Sequence, residues 1–364
     1  MEYALAALAS FVLSTAFVAI TLYLALKNSW YDHHDERKIH TGMVPRIGGI
    51  GFASAFIIVA ISLTFFNDRI DGGTVVSLGP RFLPPLFAMA LILVFGVFDD
   101  FKPLPPRYKL MVQSLAAFLV IVSGFTFHLL TFTSIGFALP FGFWRFPVTF
   151  IWIVGVTNAL NLIDGVDGLA GGVSAMAALT FGIIYALMGN SSAAILCLAL
   201  AAAVGGFLVF NLPLPRARLF MGDGGSQFLG FMLAVLPLLN NDHGLASIPI
   251  PFAAAVLALP IFDTFAAIWR RTREGRRIDS PDKAHMHHKL MFLGLQARGV
   301  DVLAFSIQLI ISGLIIASIR STTRVGLLLL GLAYAVPILF FGFLHFYNRW
   351  IIAKRGRAAP DSSN

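Results

Sequence analysis

The sequence predicts an all-α integral membrane protein of about eleven transmembrane helices, with its N-terminus outside and its C-terminus in the cytoplasm. Three observations carry that expectation. The 364 residues are 58% hydrophobic and only 12% charged, against about 25% charged residues in an ordinary soluble domain. Apolar windows long enough to cross a hydrocarbon core of about 30 Å, roughly 20 helical residues each, recur along nearly the whole chain. Lys and Arg, finally, are divided very unevenly between alternate loops.

The windows lie at about 3–26, 47–66, 81–98, 109–130, 146–162, 170–188, 192–210, 223–240, 249–269, 303–319 and 325–347. The first lacks a basic start and is too long for the apolar core of a secretory signal, so it reads as a retained span. Cys197, the single cysteine, falls inside the seventh window, which excludes a disulfide framework. Of the 26 Lys and Arg residues, 21 sit in one set of alternate loops and in the tail, and five (Arg69, Arg81, Arg145, Arg320 and Arg324) on the other side. The positive-inside rule makes the rich side cytoplasmic. The net charge of +8 is mostly this bias, so it points to membrane lipids as partners and not to nucleic acid. One polytopic domain is expected over residues 1–347, with a basic, disordered cytoplasmic tail at 348–364. The sequence leaves a homodimer through the spans open.

Acids, amides and histidines test this orientation independently, and they cluster on the same side. The cytoplasmic segments read "YDHHDERKIHTGMVPRIGG" (31–49), "DDFKPLPPRYK" (99–109), "NLIDGVDG" (161–168), "NLPLPRARLFMGDGGS" (211–226) and "RRTREGRRIDSPDKAHMHHKL" (270–290). Polar residues at the ends of membrane helices are costly unless paired, hydrated or bound to a ligand. Five such loops on one surface can assemble a pocket for a polar, phosphorylated ligand.

Each segment brings its own chemistry. Asp99 and Asp100 end the third span and Lys109 opens the fourth; adjacent carboxylates suit a base or a divalent-metal site, or an acidic turn satisfied by Lys102. In "MGDGGS", Asp223 lies between glycines where the eighth span begins. Backbone N–H groups can approach a phosphate there while Asp223 holds Mg2+, or Asp223 or Ser226 caps the helix. Asn158 and Asn161 are three apart and share a helix face, and Asp164 and Asp167 are three apart in a glycine-broken turn. Such amides and acids can read a base or sugar and add to a metal site. His285, His287 and His288 lack the spacing of a zinc site and suit an anion-facing surface better. The first loop mixes Asp32, His33, His34, Asp35, Glu36, Arg37, Lys38 and His40, a composition typical of a solvated face.

Taken in order, "VPRIGG", "DDFKPLPPRYK", "NALNLIDGVDGLAGG", "FMGDGGS" and "DKAHMHH" resemble the polyprenyl-phosphate N-acetylhexosamine-1-phosphate transferase family over residues 31–290. The "HMHH" form is more similar to the undecaprenyl-phosphate GlcNAc-1-phosphate transferases (WecA type) than to the peptidoglycan branch, which acts on a UDP-muramoyl-pentapeptide. The resemblance implies transfer of a sugar-1-phosphate, with GlcNAc the expected sugar, from a UDP-N-acetylhexosamine to undecaprenyl phosphate. UMP is released, Mg2+ is required (Mn2+ is a candidate substitute), and a cell-envelope polysaccharide is initiated at the bacterial cytoplasmic membrane. It further implies Asp223 as principal magnesium ligand with Asn161 as a second. Asp99 and Asp100 serve the lipid phosphate, Asp99 as candidate base, and Lys109 binds phosphate. Asp167, Asn211 and Phe220 correspond to uridine-associated positions. His285, His287 and His288 contact pyrophosphate or sugar, Arg271 and Arg276 are candidate sugar readers, and Lys38, Asn158 and Asp164 join the substrate-binding set. Direct in-line displacement and a two-step route through an aspartyl phosphate remain open alternatives. A transporter is the rival class, disfavoured because the acids sit at one surface and the two halves do not repeat.

Overall fold

The computed structural model describes residues 2–31, 44–65, 68–69, 75–132, 137–212, 216–240, 247–277, 280, 282 and 284–357. In chain order the helices are α1 (Glu2–Lys27), α2 (Gly48–Phe65), α3 (Leu83–Phe101), α4 (Pro106–Val122), α5 (Arg145–Ile163), α6 (Leu169–Leu187) and α7 (Ser191–Asn211). They continue as α8 (Gly222–Val235), α9 (Ile250–Val256), α10 (Ala258–Arg273), α11 (Met286–Phe292), α12 (Ala297–Arg320) and α13 (Thr323–Arg357). Two antiparallel hairpins interrupt the helical pattern. β1 (Asp68–Arg69) pairs with β2 (Val75–Val76), and β3 (Leu129–Phe132) pairs with β4 (Phe137–Pro140) in the register Leu129 to Pro140.

Every predicted window contains a helix. Among the described residues eight helices are long and apolar enough to cross a membrane, nine if α9 and α10, bent by 83° at their junction, make one broken span. The remaining two windows carry α4, of 17 residues, and α8, of 14. Their apolar runs are longer than their helices because hydropathy does not register chain breakers. α4 stops before Gly124, whose φ of +85° is left-handed, and α8 passes into a 3₁₀ turn at Leu236–Leu238 that contains Pro237. At the other end of the chain α13 runs to Arg357, so residues 348–357 of the expected tail are helical.

α8 is the centre of the assembly. All of its residues except Asp223 are buried, and α2, α3 and α5 pack around it. Glycine makes this crowding possible, as is common between membrane helices that associate by close backbone approach. A Cβ on Gly49 of α2 would lie 2.4 Å from the Cα of Gly225, and one on Gly96 of α3 would lie 2.3 Å from the Cα of Gly224. Farther along α8, Gly230 abuts Thr157 of α5. α1 and α2 pack on α7, which lies against α6, while α12 packs on α6 and α13 on α12. The C-terminal ends of α3 and α5 thus meet the N-terminal ends of α2, α4, α6 and α8 at one face, and the polar segments converge there.

Candidate active site

The N-terminus of α8 is fixed from two sides. Backbone pairing ties it to the chain before α2: Phe220 N–H donates to Pro45 O at 2.8 Å, Gly48 N–H to Phe220 O at 2.8 Å, and Gly49 N–H to Met221 O at 2.8 Å. From α3, Asp100 caps the helix across space. Its Oδ1 accepts from Asp223 N–H at 2.6 Å and its Oδ2 from Gly224 N–H at 3.1 Å. Gly222, at φ +80°, permits this approach, because a Cβ there would stand 2.6 Å from Asp100 Oδ2. A carboxylate at a helix N-terminus satisfies orphan donors and complements the dipole. Asp100 is therefore held as a positioning group.

Asp223 projects from this fixed turn between two cations. Arg46 pairs with its Oδ1, and Lys109 Nζ donates to its Oδ2 at 2.7 Å. Lys109 also reaches Asp99 Oδ2 at 2.5 Å, while Asp99 Oδ1 accepts from Leu104 N–H at 2.8 Å. The Asp99 side chain is 1% exposed and that of Asp223 is 21% exposed, so of these two carboxylates Asp223 is the one a ligand can reach.

Amides continue the network along α5. Asn161 Nδ2 donates to Ser226 Oγ at 2.7 Å, which leaves its Oδ1 without a hydrogen bond among the described residues. Asn158 Nδ2 donates to Gln113 Oε1 at 2.7 Å, and Gln113 Nε2 to Gln227 Oε1 at 3.1 Å. Asn158 is thus engaged within the helix bundle.

The turn between α5 and α6 joins this cluster to the histidines. Half-buried Asp164 has its carboxyl pushed up to about 7 by burial, against the pull of Arg46 and reinforced by Asp223 and Asp167. A Cβ on Gly165 would fall 2.3 Å from His287 Nε2, so the imidazole lies directly on that turn. His287 stacks parallel to His285 at 6.1 Å and packs on His288 at 4.2 Å. Burial, with the neighbouring His288 and partly opposed by Asp263, holds His287 down at about 4, so it is neutral near pH 7. Its Nδ1 is buried and has no hydrogen-bond partner among the described residues. His285 Nδ1 is oriented by Asp263 Oδ2 at 2.8 Å, and Asp263 Oδ1 accepts from Met286 N–H at 2.8 Å.

Other expected residues occupy different surroundings. Asn211 uses both ends of its amide to tie the chain: Oδ1 accepts from Gly168 N–H at 2.7 Å and Nδ2 donates to Leu219 O at 3.0 Å. Phe220 is placed by its backbone beside Gly48. Arg271 is buried, 3.9 Å from Asp282, whereas Arg276 pairs with Glu274 at 3.0 Å on an exposed surface. Lys38 lies outside the described residues. Arg46, Gln113, Gln227, Asp263 and Asp301 also enter the cluster, although no motif in the chain marks any of them as a site residue. Asp301, on α12, is buried, its Oδ1 has no hydrogen-bond partner among the described residues, and its Oδ2 lies 3.3 Å from where a Cβ on Gly168 would be.

The described residues contain no group of three His, Cys, Asp or Glu arranged to hold a metal. The oxygens on offer are the Asp223 carboxylate and the free Asn161 Oδ1. Hard oxygen donors in small number fit Mg2+, which retains several waters and takes further ligands from substrate phosphates.

Comparison with known proteins settles the family. Residues 82–241, from the turn before α3 to just beyond α8, match the sequence model of glycosyl transferase family 4. A Bacillus subtilis (strain 168) protein described as a probable undecaprenyl-phosphate N-acetylglucosaminyl 1-phosphate transferase is 33% identical over 290 residues, covering 79% of this chain and 77% of that protein. The chain belongs to glycosyl transferase family 4. This transferase is also similar to the undecaprenyl-phosphate alpha-N-acetylglucosaminyl 1-phosphate transferases of Yersinia pestis, 31% identical over 297 residues, and Escherichia coli (strain K12), 30% over 304. Those matches cover 80% of this chain and 78% and 77% of the two relatives. The matched family segment spans Asp99, Asp100, Lys109, Asn161, Asp164 and Asp223, and the histidine helix α11 lies beyond it.

Proposed function

We propose that this transferase moves N-acetylglucosamine-1-phosphate from a UDP-sugar to undecaprenyl phosphate and releases UMP, working at the cytoplasmic face of a bacterial inner membrane with its N-terminus outside. The observation that carries the reading is the chain Arg46–Asp223–Lys109–Asp99, seated on an α8 N-terminus that Asp100 locks in place. The relatives' names, and the excess of Lys and Arg on this face, support the same reading.

Bringing a lipid phosphate to a nucleotide diphosphate crowds anions together, and the barrier is mainly one of positioning and charge. Lys109 and Arg46, now paired with carboxylates, offer donors to phosphate oxygens without leaving their places. Burial and two engaged oxygens make Asp99 the group that holds Lys109, in preference to the base expected from the family resemblance. Asp223 and Asn161 would hold Mg2+, which when bound neutralises phosphate charge. The turn at 164–168, which carries Asp167 and is backed by Asp301, faces the donor's nucleotide side, and neutral His287 presents an imidazole beside the same backbone. Attack by a lipid phosphate oxygen on the sugar-linked phosphorus, with UMP leaving, is the one-step route this arrangement suits, since Asp223 is already committed to cations.

The test uses purified protein in detergent with undecaprenyl phosphate and UDP-GlcNAc, following UMP with and without Mg2+ beside Asp223→Asn. The reading requires lipid- and magnesium-dependent release that collapses in the variant. Absence of release with every UDP-N-acetylhexosamine offered would overturn it.

A further inference from the structure

Remote from the acidic cluster, the turn before α3, the C-terminal end of α4, the segment that follows it and the start of α5 line an open cavity of about 960 Å3. Arg145 opens α5 and lines this cavity, whereas Asn161 lies 16 residues further along the same helix, about 24 Å away at 1.5 Å per residue. The cavity and the candidate active site therefore occupy opposite faces of the bundle.

The lining is amphipathic. Among the described residues its polar part is Arg81, Arg145, His128 and Thr126. Arg145 stands over Phe146 at 4.7 Å and Arg81 over Phe125 at 5.3 Å, which fixes both guanidiniums on aromatic rings. Arg145 Nε is buried and has no hydrogen-bond partner among the described residues. Arg145 also sits at the N-terminus of α5, where the helix dipole disfavours a cation and favours an anion. The field is felt nearby: burial, together with Arg145, lowers the His128 imidazole below its usual range. The apolar wall includes Phe118 and Val122, 57% and 56% exposed on the outer side of α4. In a bilayer that wall faces hydrocarbon, and exposed Phe143 and Trp144 just before Arg145 mark the level of the headgroups.

Two guanidiniums beside an outward-facing apolar wall select a ligand with an anionic head and hydrocarbon tails. We propose that this cavity binds the phosphate headgroup of an anionic glycerophospholipid from the leaflet opposite the acidic cluster, its acyl chains lying along Phe118 and Val122. A zwitterionic lipid would bring its ammonium toward the same guanidiniums, and a free anion would gain nothing from the apolar wall. Arginine's planar fork matches phosphate oxygens in pairs.

The experiment is native mass spectrometry of the full chain in detergent, titrated with phosphatidylglycerol, phosphatidylcholine, undecaprenyl phosphate and inorganic phosphate. The wild type is expected to retain one phosphatidylglycerol at least tenfold more tightly than phosphatidylcholine, and Arg81→Gln/Arg145→Gln to lose that preference. Val122→Trp, which keeps both arginines and fills the apolar wall, is expected to lose the same lipid. Monodisperse elution and an unchanged unfolding temperature without added lipid establish that the variants fold. Unchanged phosphatidylglycerol retention in the double variant would refute the proposal. So would displacement of the lipid by millimolar inorganic phosphate, or an arginine-dependent preference for undecaprenyl phosphate over phosphatidylglycerol.

Discussion

Gly96→Ala tests whether the packing of α3 on α8 sets the chemistry at the end of α8. The new methyl group would begin 2.3 Å from the Cα of Gly224, which is backbone and cannot rotate away. Reaching even a tight contact of about 3.4 Å requires the two helices to part by about 1 Å, and overpacking of this kind costs about 1–3 kcal/mol. Asp100 lies one turn beyond Gly96 on α3, and its bonds to the N–H groups of Asp223 and Gly224, at 2.6 and 3.1 Å, span the same gap. A 1 Å separation carries the longer bond past hydrogen-bonding distance and displaces Asp223 relative to Lys109. Misplacement on that scale lowers turnover about 100-fold. The assay pairs UMP release with thermal unfolding in detergent. Gly155→Ala is the control, because a Cβ on Gly155 meets nothing within 4 Å, and it should leave both readouts unchanged or slightly raise stability. If Gly96→Ala keeps activity within twofold and its unfolding temperature matches the control, the proposed coupling of packing to site geometry is wrong.

Further outcomes follow from the same geometry. Asp100→Asn replaces one acceptor with a donor facing a backbone N–H; a loss of about 1–3 kcal/mol is expected, read as a lower unfolding temperature together with reduced turnover. Lys109→Met leaves Asp99 and Asp223 facing each other without their shared cation and should reduce UMP release at least 100-fold, whereas Lys109→Arg should recover part of it. His287 has a folded-state pKa near 4 against an ordinary 6.5, so the unfolded chain takes up a proton first. Stability is then lost as pH falls from 6.5 toward 4, by up to about 3 kcal/mol at 1.36 per unit. His287→Gln should remove that acid-side loss in a melting series from pH 7 to 4.5. Asp164 behaves oppositely. Its raised value near 7 means the folded state holds the proton longer, so stability falls as pH rises from about 4 through 7, and Asp164→Asn should raise the unfolding temperature at pH 8 and leave it little changed near pH 4.

What the sequence revealed depended on how local the cause was. The membrane helices were legible because burial in lipid needs long apolar runs, and Asp99, Lys109, Asn161 and Asp223 because polar groups at such helix ends are conspicuous. Where α4 and α8 stop was less visible: their apolar windows run on past Gly124 and Pro237, and only the backbone at those residues ends the helix. Arg46 reads from the sequence as one of many loop cations, since nothing in "VPRIGG" reveals that the pairing of Pro45, Gly48 and Gly49 with Phe220 and Met221 delivers its guanidinium to Asp223. Asp263 and Asp301 lie 22 and 134 residues from His285 and Asp167, the groups whose fields they share. Only the closure of α10 and α12 over the α5–α6 turn makes them neighbours.

Asp100 shows why fold and site cannot be apportioned to separate residues here. As an adjacent pair, Asp99 and Asp100 suggest two carboxylates sharing one task. A helix turns by about 100° per residue, so neighbours must point apart. One carboxylate turns to Lys109 and the loop at Leu104, the other to the start of α8. Each then has a different partner and a different consequence. Asp99 orients the Lys109 cation, and Asp100 orients the helix that carries Asp223. Replacing either one therefore perturbs Asp223, through its cation in one case and through its backbone in the other. The double variant should lose less than the sum of the two single losses, because both routes end on the same carboxylate.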